Sequence, residues 1–158
     1  MKRLICLLMT VMLLFCFSSC ANDRVIKNPV NLYYLSSDTS ESGMLIQPEV
    51  REASADLEEQ LNEYLRGPLD EAYVSPFPQN VHIVAIKQSD SISEIVLSDS
   101  FASLSGYELT VACACLTKTL QELVDTKLVN IRAENATLDG NAYITMNTDA
   151  LITIDENN

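Results

Sequence analysis

The sequence predicts an α+β domain: a two-layer sandwich with two helices packed on one face of a mainly antiparallel sheet, in the order β-α-β-β-α-β-β. Three observations carry this expectation. Two stretches, 55–66 and 105–124, place apolar residues at three- and four-residue intervals and so give each helix a single greasy stripe. Four runs, 30–35, 81–87, 92–97 and 129–133, are β-rich and most of them alternate, the period of a half-buried strand. The 139 residues from Cys20 to Asn158 suit one core plus a short tether. Helices with one apolar face each are satisfied by covering one face of a sheet.

The chain opens with Lys2 and Arg3 and then a 14-residue apolar run, Leu4 to Phe17, broken only by Thr10. That is the layout of an export signal, and it is shorter than the ~20 apolar residues that cross a bilayer core. Phe17-Ser18-Ser19-Cys20 resembles the bacterial lipobox, in which the cysteine sulfur takes a diacylglycerol and becomes the new N-terminus. Phe17 stands where that motif usually has leucine or another aliphatic residue. The expected organisation is therefore a leader over 1–19, a tether over 20–29 that ends at Pro29, and one domain over 30–158.

Within the domain, Val30, Leu32 and Tyr34 alternate with Asn31, Tyr33 and Leu35 as a strand, and Met44 to Val50 reads as a weaker second strand interrupted by Pro48. Leu57, Leu61, Tyr64 and Leu65 form the stripe of the first helix. Ser54 is expected to cap it, and Gly67-Pro68 to stop it with a left-handed residue followed by one that cannot continue. After a loop over 69–80, the runs 81–87 and 92–97 read as a hairpin. Ser105-Gly106-Tyr107-Glu108 matches the capping box that starts the second helix, whose stripe is Leu109, Ala112, Cys113, Leu116, Leu120, Leu123 and Val124. Val129, Ile131 and Ala133 then alternate with polar residues, Asp139-Gly140 marks a turn before Ala142 to Met146, and Leu151 to Ile154 is a candidate edge strand.

The chain carries 10 basic and 22 acidic residues, a formal charge of −12; loss of the leader with Lys2 and Arg3 leaves eight basic residues and −14. Phosphate binding needs clustered Lys and Arg, so nucleic acid is not an expected partner, and anionic lipid is disfavoured too. Of the five cysteines, Cys6 and Cys16 lie in the leader and Cys20 in the lipobox, leaving Cys113 and Cys115. Two residues apart on a helix, these point about 200° apart around the axis and do not bridge, and two thiols without a nearby histidine are too few ligands for structural zinc.

Residues able to do chemistry are sparse. His82, the only histidine, lies in a strand pattern with no nucleophile or orienting acid marked beside it. Cys113 and Cys115 read as small apolar filler. No carboxylate pair is singled out by spacing, and the four glycines, Gly43, Gly67, Gly106 and Gly140, each have a turn or cap explanation, so no phosphate loop and no cofactor is expected. Two loops are candidates for partner binding because they join strands and helices: Arg66-Gly67-Pro68 and Ser98-Asp99.

Val30-Asn31-Leu32-Tyr33-Tyr34, Leu65-Arg66-Gly67-Pro68, Ile95-Val96-Leu97-Ser98-Asp99-Ser100-Phe101, a long helix and Val129-Asn130-Ile131 together resemble the GerMN domain, a sporulation and spore germination module. The likeness covers about 30–146. This chain differs in the segment Tyr73 to Asn80 with its two prolines, in its Cys-Ala-Cys helix, and in having one such domain. The resemblance implies an exported, membrane-tethered, non-catalytic module at the envelope of a Gram-positive-type bacterium, similar to ring-building domains, with no catalytic residues to carry over. On that reading the membrane is engaged through lipidated Cys20, the partner is an envelope protein or peptidoglycan, and self-association through a sheet edge is open to it. The contrasting expectation is a small envelope hydrolase using His82 or a carboxylate pair.

Overall fold

The computed structural model describes residues 26–38, 45–147 and 149. The leader, Cys20, the first part of the tether, Gly43 and the edge strand expected at 151–154 lie outside the described residues. The elements in order are β1 (Pro29–Ser36), β2 (Ile46–Glu52), α1 (Leu57–Leu65), β3 (Tyr73–Val74), β4 (Ile83–Ser89), β5 (Ile92–Leu97), a one-turn 3-10 helix (Asp99–Ser103), α2 (Gly106–Leu123), β6 (Leu128–Ala133) and β7 (Ile144–Asn147). The class is α+β as expected. The strands, however, divide between two sheets, β2-β1-β3 and β4-β5-β6-β7. All neighbours are antiparallel except β5 and β6, which run parallel because the long helix α2 returns the chain between them.

The division has a local cause on β1. Its partner β3 reaches only Leu35 and Ser36. Further back the Tyr33 amide donates to Thr119 Oγ1 of α2 at 2.9 Å, so a helix side chain closes part of an edge that a strand would otherwise occupy. The same side of α2 places the Lys118 ammonium 4.9 Å from the Tyr33 ring centroid and gives Glu122 as acceptor to the Tyr33 hydroxyl at 3.0 Å. Leu109, Ala112, Cys113, Leu116 and Leu120 share a core with Ile95, Leu97, Val129, Ile131 and Ala133 of the second sheet. Hence α2 is not a half-buried helix with one apolar stripe. Every residue from Ala112 to Leu120 is buried, because the helix has protein on more than one side.

Two helix starts differ from expectation. Asp56, rather than Ser54, caps α1: its carboxylate accepts from the amides of Glu58 and Glu59 at 2.8 and 3.2 Å, while the Ser54 hydroxyl donates to Glu59. Ser105 is the N-cap of α2 but its side chain makes no capping bond; Asp139, from a turn 33 residues on, accepts from the Gly106 amide at 2.8 Å. An acid at a helix start is favoured by the macrodipole whichever part of the chain supplies it. Gly67, at φ +115°, stops α1 as expected, and the Asp139-Gly140 turn closes between the paired Leu138 and Asn141.

Candidate functional site

β2 reverses the usual alternation. Paired with β1 so that Gln47, Glu49 and Arg51 lie opposite the buried Tyr34, Leu32 and Val30, it turns polar residues inward and leaves Val50 on the outside. Glu49 is 6 % exposed. Such an arrangement is tolerable only if the inward charges are paired and hydrogen-bonded, and they are. One Glu49 carboxylate oxygen accepts from the Leu69 and Asp70 amides, both at 2.8 Å, and the other from Arg51 Nε at 2.6 Å. Arg51 Nη2 donates to the Gly67 carbonyl at 2.7 Å, and the guanidinium stands 5.5 Å from the Tyr34 ring centroid. The pair thus clamps the loop after α1 onto β2.

The outer side of that clamp is a groove of about 840 Å³ lined by Ile26, Val50, Arg66, Pro68 and Leu69 among others. Leu69 is 82 % exposed although its amide is fixed by Glu49. Beneath the loop, Tyr34 donates its hydroxyl to the Tyr64 carbonyl at 2.8 Å and Tyr64 donates to the Tyr33 carbonyl at 2.7 Å, while Phe77 packs edge-on to Tyr64. Burial pushes both phenols well above the ordinary tyrosine range, so both remain donors. The Arg66-Gly67-Pro68 loop is therefore rigid and open to solvent on one side, the condition under which a surface loop holds a fixed shape for a partner.

The second candidate loop is engaged internally. Ser98 Oγ accepts from the His82 amide at 3.2 Å and is 2.9 Å from Ser100 Oγ. Asp99 accepts from the Asn135 amide at 2.7 Å and from its side chain at 3.2 Å, which holds the turn after β6. Those bonds, the amide bond first, keep the exposed Asp99 carboxyl below its ordinary value. Its contribution to stability is then complete above the unfolded-state pKa and is lost as pH falls through the lower folded value. In thermal melts wild type should exceed Asp99→Asn by a constant margin above the usual carboxylate range, and the margin should shrink as the solution is acidified below it; a margin unchanged down to the acid limb would contradict this role.

His82 is exposed, with its Nδ1 3.2 Å from the Asn80 carbonyl. Among the described residues no hydrogen bond joins its imidazole to a carboxylate or hydroxyl. It and Arg66 both line one hollow of about 340 Å³ with Glu59, Asn62 and Glu63, so the fold brings the sole histidine to the C-terminal half of α1 and to the Arg66 loop. Cys113 and Cys115 are both fully buried, and burial raises both thiols to about 12, the environment of packing residues. Among the described residues no group of three or more His, Cys, Asp or Glu side chains is placed to hold a metal ion, and no helix is long and apolar enough to cross a membrane.

Sequence reasoning missed Glu49 and Arg51. The one available signal was the spacing Glu49-Val50-Arg51, a charged-apolar-charged alternation that reads equally well with Val50 inward.

Residues 31–139 match the Germane family, described as sporulation and spore germination. Among solved structures, the tandem GerMN domains of the sporulation protein GerM from Bacillus subtilis are similar at 19 % identity with a TM-score of 0.59, over 81 % of this chain and 48 % of that one. The first GerMN domain of the same protein is similar at 13 % identity with a TM-score of 0.56, over 73 % and 92 %. The chain thus spans about half the length of the tandem structure, and likeness at these identities concerns the fold. No curated protein matches the sequence.

Proposed function

The chain belongs to the Germane family of sporulation and spore germination domains, and from that membership we propose that it is a membrane-anchored, extracytoplasmic lipoprotein whose domain is a non-catalytic binding or assembly module at the cell envelope. The observation that carries the reading is the clamped loop: Glu49 and Arg51 fix the backbone of 67–70, yet the Leu69 side chain is left in solvent beside an open groove. An enzyme of this size concentrates its polar groups on a nucleophile and a base; here the buried ion pair directs its loop hydrogen bonds to the backbone of 67–70 and packs its guanidinium against Tyr34. His82, which the hydrolase alternative would use if not a carboxylate pair, has its Nδ1 3.2 Å from the Asn80 carbonyl. The surface at Arg66, Gly67, Pro68 and Leu69 is the proposed contact face, with an envelope component as its partner.

The anchor is proposed at Cys20. Cys20→Ser should abolish lipid attachment, so that the protein is either released from the membrane or retained with its leader uncleaved; wild-type size and retention in the variant would reject lipidation. For the partner, photocrosslinking from position 69 in intact cells should capture a defined species that is absent from a Ser103 crosslinker control. Turnover of an envelope substrate that disappears in a folded His82→Ala variant would instead establish the hydrolase.

A further inference from the structure

We propose that the envelope component met by this face is the lipid bilayer itself: Leu69, Val50 and Ile26 rest at headgroup depth on the outer leaflet. The inference deepens the contact-face reading above and rests on the lipid anchor at Cys20. Ile26 lines the groove and lies six residues after Cys20, a span of at most about 20 Å even fully extended. The face on which the chain enters the domain is therefore the face the anchor holds nearest the membrane. On that face three apolar side chains are displayed together, Leu69 at 82 %, Val50 at 49 % and Ile26 at 38 % exposure, and Pro68 lines the same groove. None is needed by the core.

Backbone order makes the display more than a loose loop. The Leu69 amide is bonded to buried Glu49 and the Gly67 carbonyl to Arg51, so docking the leucine costs little further ordering. Arg66 lines the groove and Lys27 follows Ile26, and each suits a lipid phosphate; the acidic Glu52 and Glu63 line the same groove. With both signs present and a strongly acidic domain, the contact is shallow rather than an electrostatic adhesion. The anchor supplies the high local concentration under which a weak contact is populated.

The chain contains no tryptophan, which gives a direct probe. Lipidated Leu69→Trp, and Tyr143→Trp as a control at the exposed residue just before β7, would be reconstituted into phosphatidylcholine vesicles carrying a minority of phosphatidylglycerol, floated, and read with bromine-labelled phospholipids. The expected result is flotation of both proteins, with a blue-shifted emission that is lost to the bromolipid for position 69 and a red, unquenched emission for position 143. Flotation with equal, unquenched emission at both positions overturns the proposal and leaves the anchor standing. Shielding of position 69 from aqueous iodide without bromolipid quenching places protein on the face and also overturns it. Failure to float overturns the anchor reading and the proposal with it.

Discussion

Glu49→Ala is expected to destabilise the domain by about 3–5 kcal/mol, the usual consequence of removing one partner of a buried ion pair. Three donors lose Glu49 as acceptor at once, Arg51 Nε and the amides of Leu69 and Asp70, and among the described residues the guanidinium keeps only the Gly67 carbonyl. With domain stabilities of about 5–15 kcal/mol, this is a large share of the total, and the urea midpoint should fall accordingly. The double variant Glu49→Met with Arg51→Met should recover part of the loss, because no charge is then stranded beside Tyr34, but not all of it, because the two amides still lack an acceptor. A single-variant loss below about 1 kcal/mol would show that water reaches the pair freely and that the clamp is an exposed contact of the ordinary, weak kind.

Phe101→Ala carries the second large effect, about 3–5 kcal/mol. Phe101 is fully buried, and the 3-10 turn that holds it is fixed at both ends, its amide donating to the Ser98 carbonyl at 3.0 Å and its carbonyl accepting from Leu104 at 3.2 Å. A site tied down in this way collapses poorly around a lost ring, which keeps the cavity term high. Phe101→Leu should cost less than half as much, since it restores most of the volume. Thermal and urea denaturation of the two variants check this; equal losses for leucine and alanine would mean that ring shape, not filled volume, sets the cost.

Legibility in the sequence followed the range of the cause. The stripe Leu57, Leu61, Tyr64 and Leu65 located α1, and Gly67, with its positive φ, located its end, because periodicity and chirality act within a few residues. The hairpin of β4 and β5, the strand β6 and the Asp139-Gly140 turn were readable for the same reason. The two-residue strand β3 was not, being created by what β1 happens to lie beside. The capping box at Ser105 had the right letters, yet the Ser105 side chain makes no capping bond, and the neighbouring Gly106 amide is bonded to Asp139, which only the folded chain brings near. At the site, Arg66, Gly67 and Pro68 stood out as a helix stop, whereas Glu49 and Arg51, which hold that loop in place, did not.

By itself the sequence determined the α+β class, the order of its main elements, the buried role of Cys113, and the family likeness carried by Leu65-Arg66-Gly67-Pro68 and Ile95 to Phe101. Tertiary structure alone decided that the strands form two sheets, that α2 is buried all round between Ala112 and Leu120, and that β2 turns its charges inward and Val50 outward. The physical reason is one of degeneracy. A strand's period of two says which residues share a face but not which face meets the core, and that choice is made by groups far along the chain: the amides of Leu69 and Asp70 for Glu49, and Thr119 for the edge of β1.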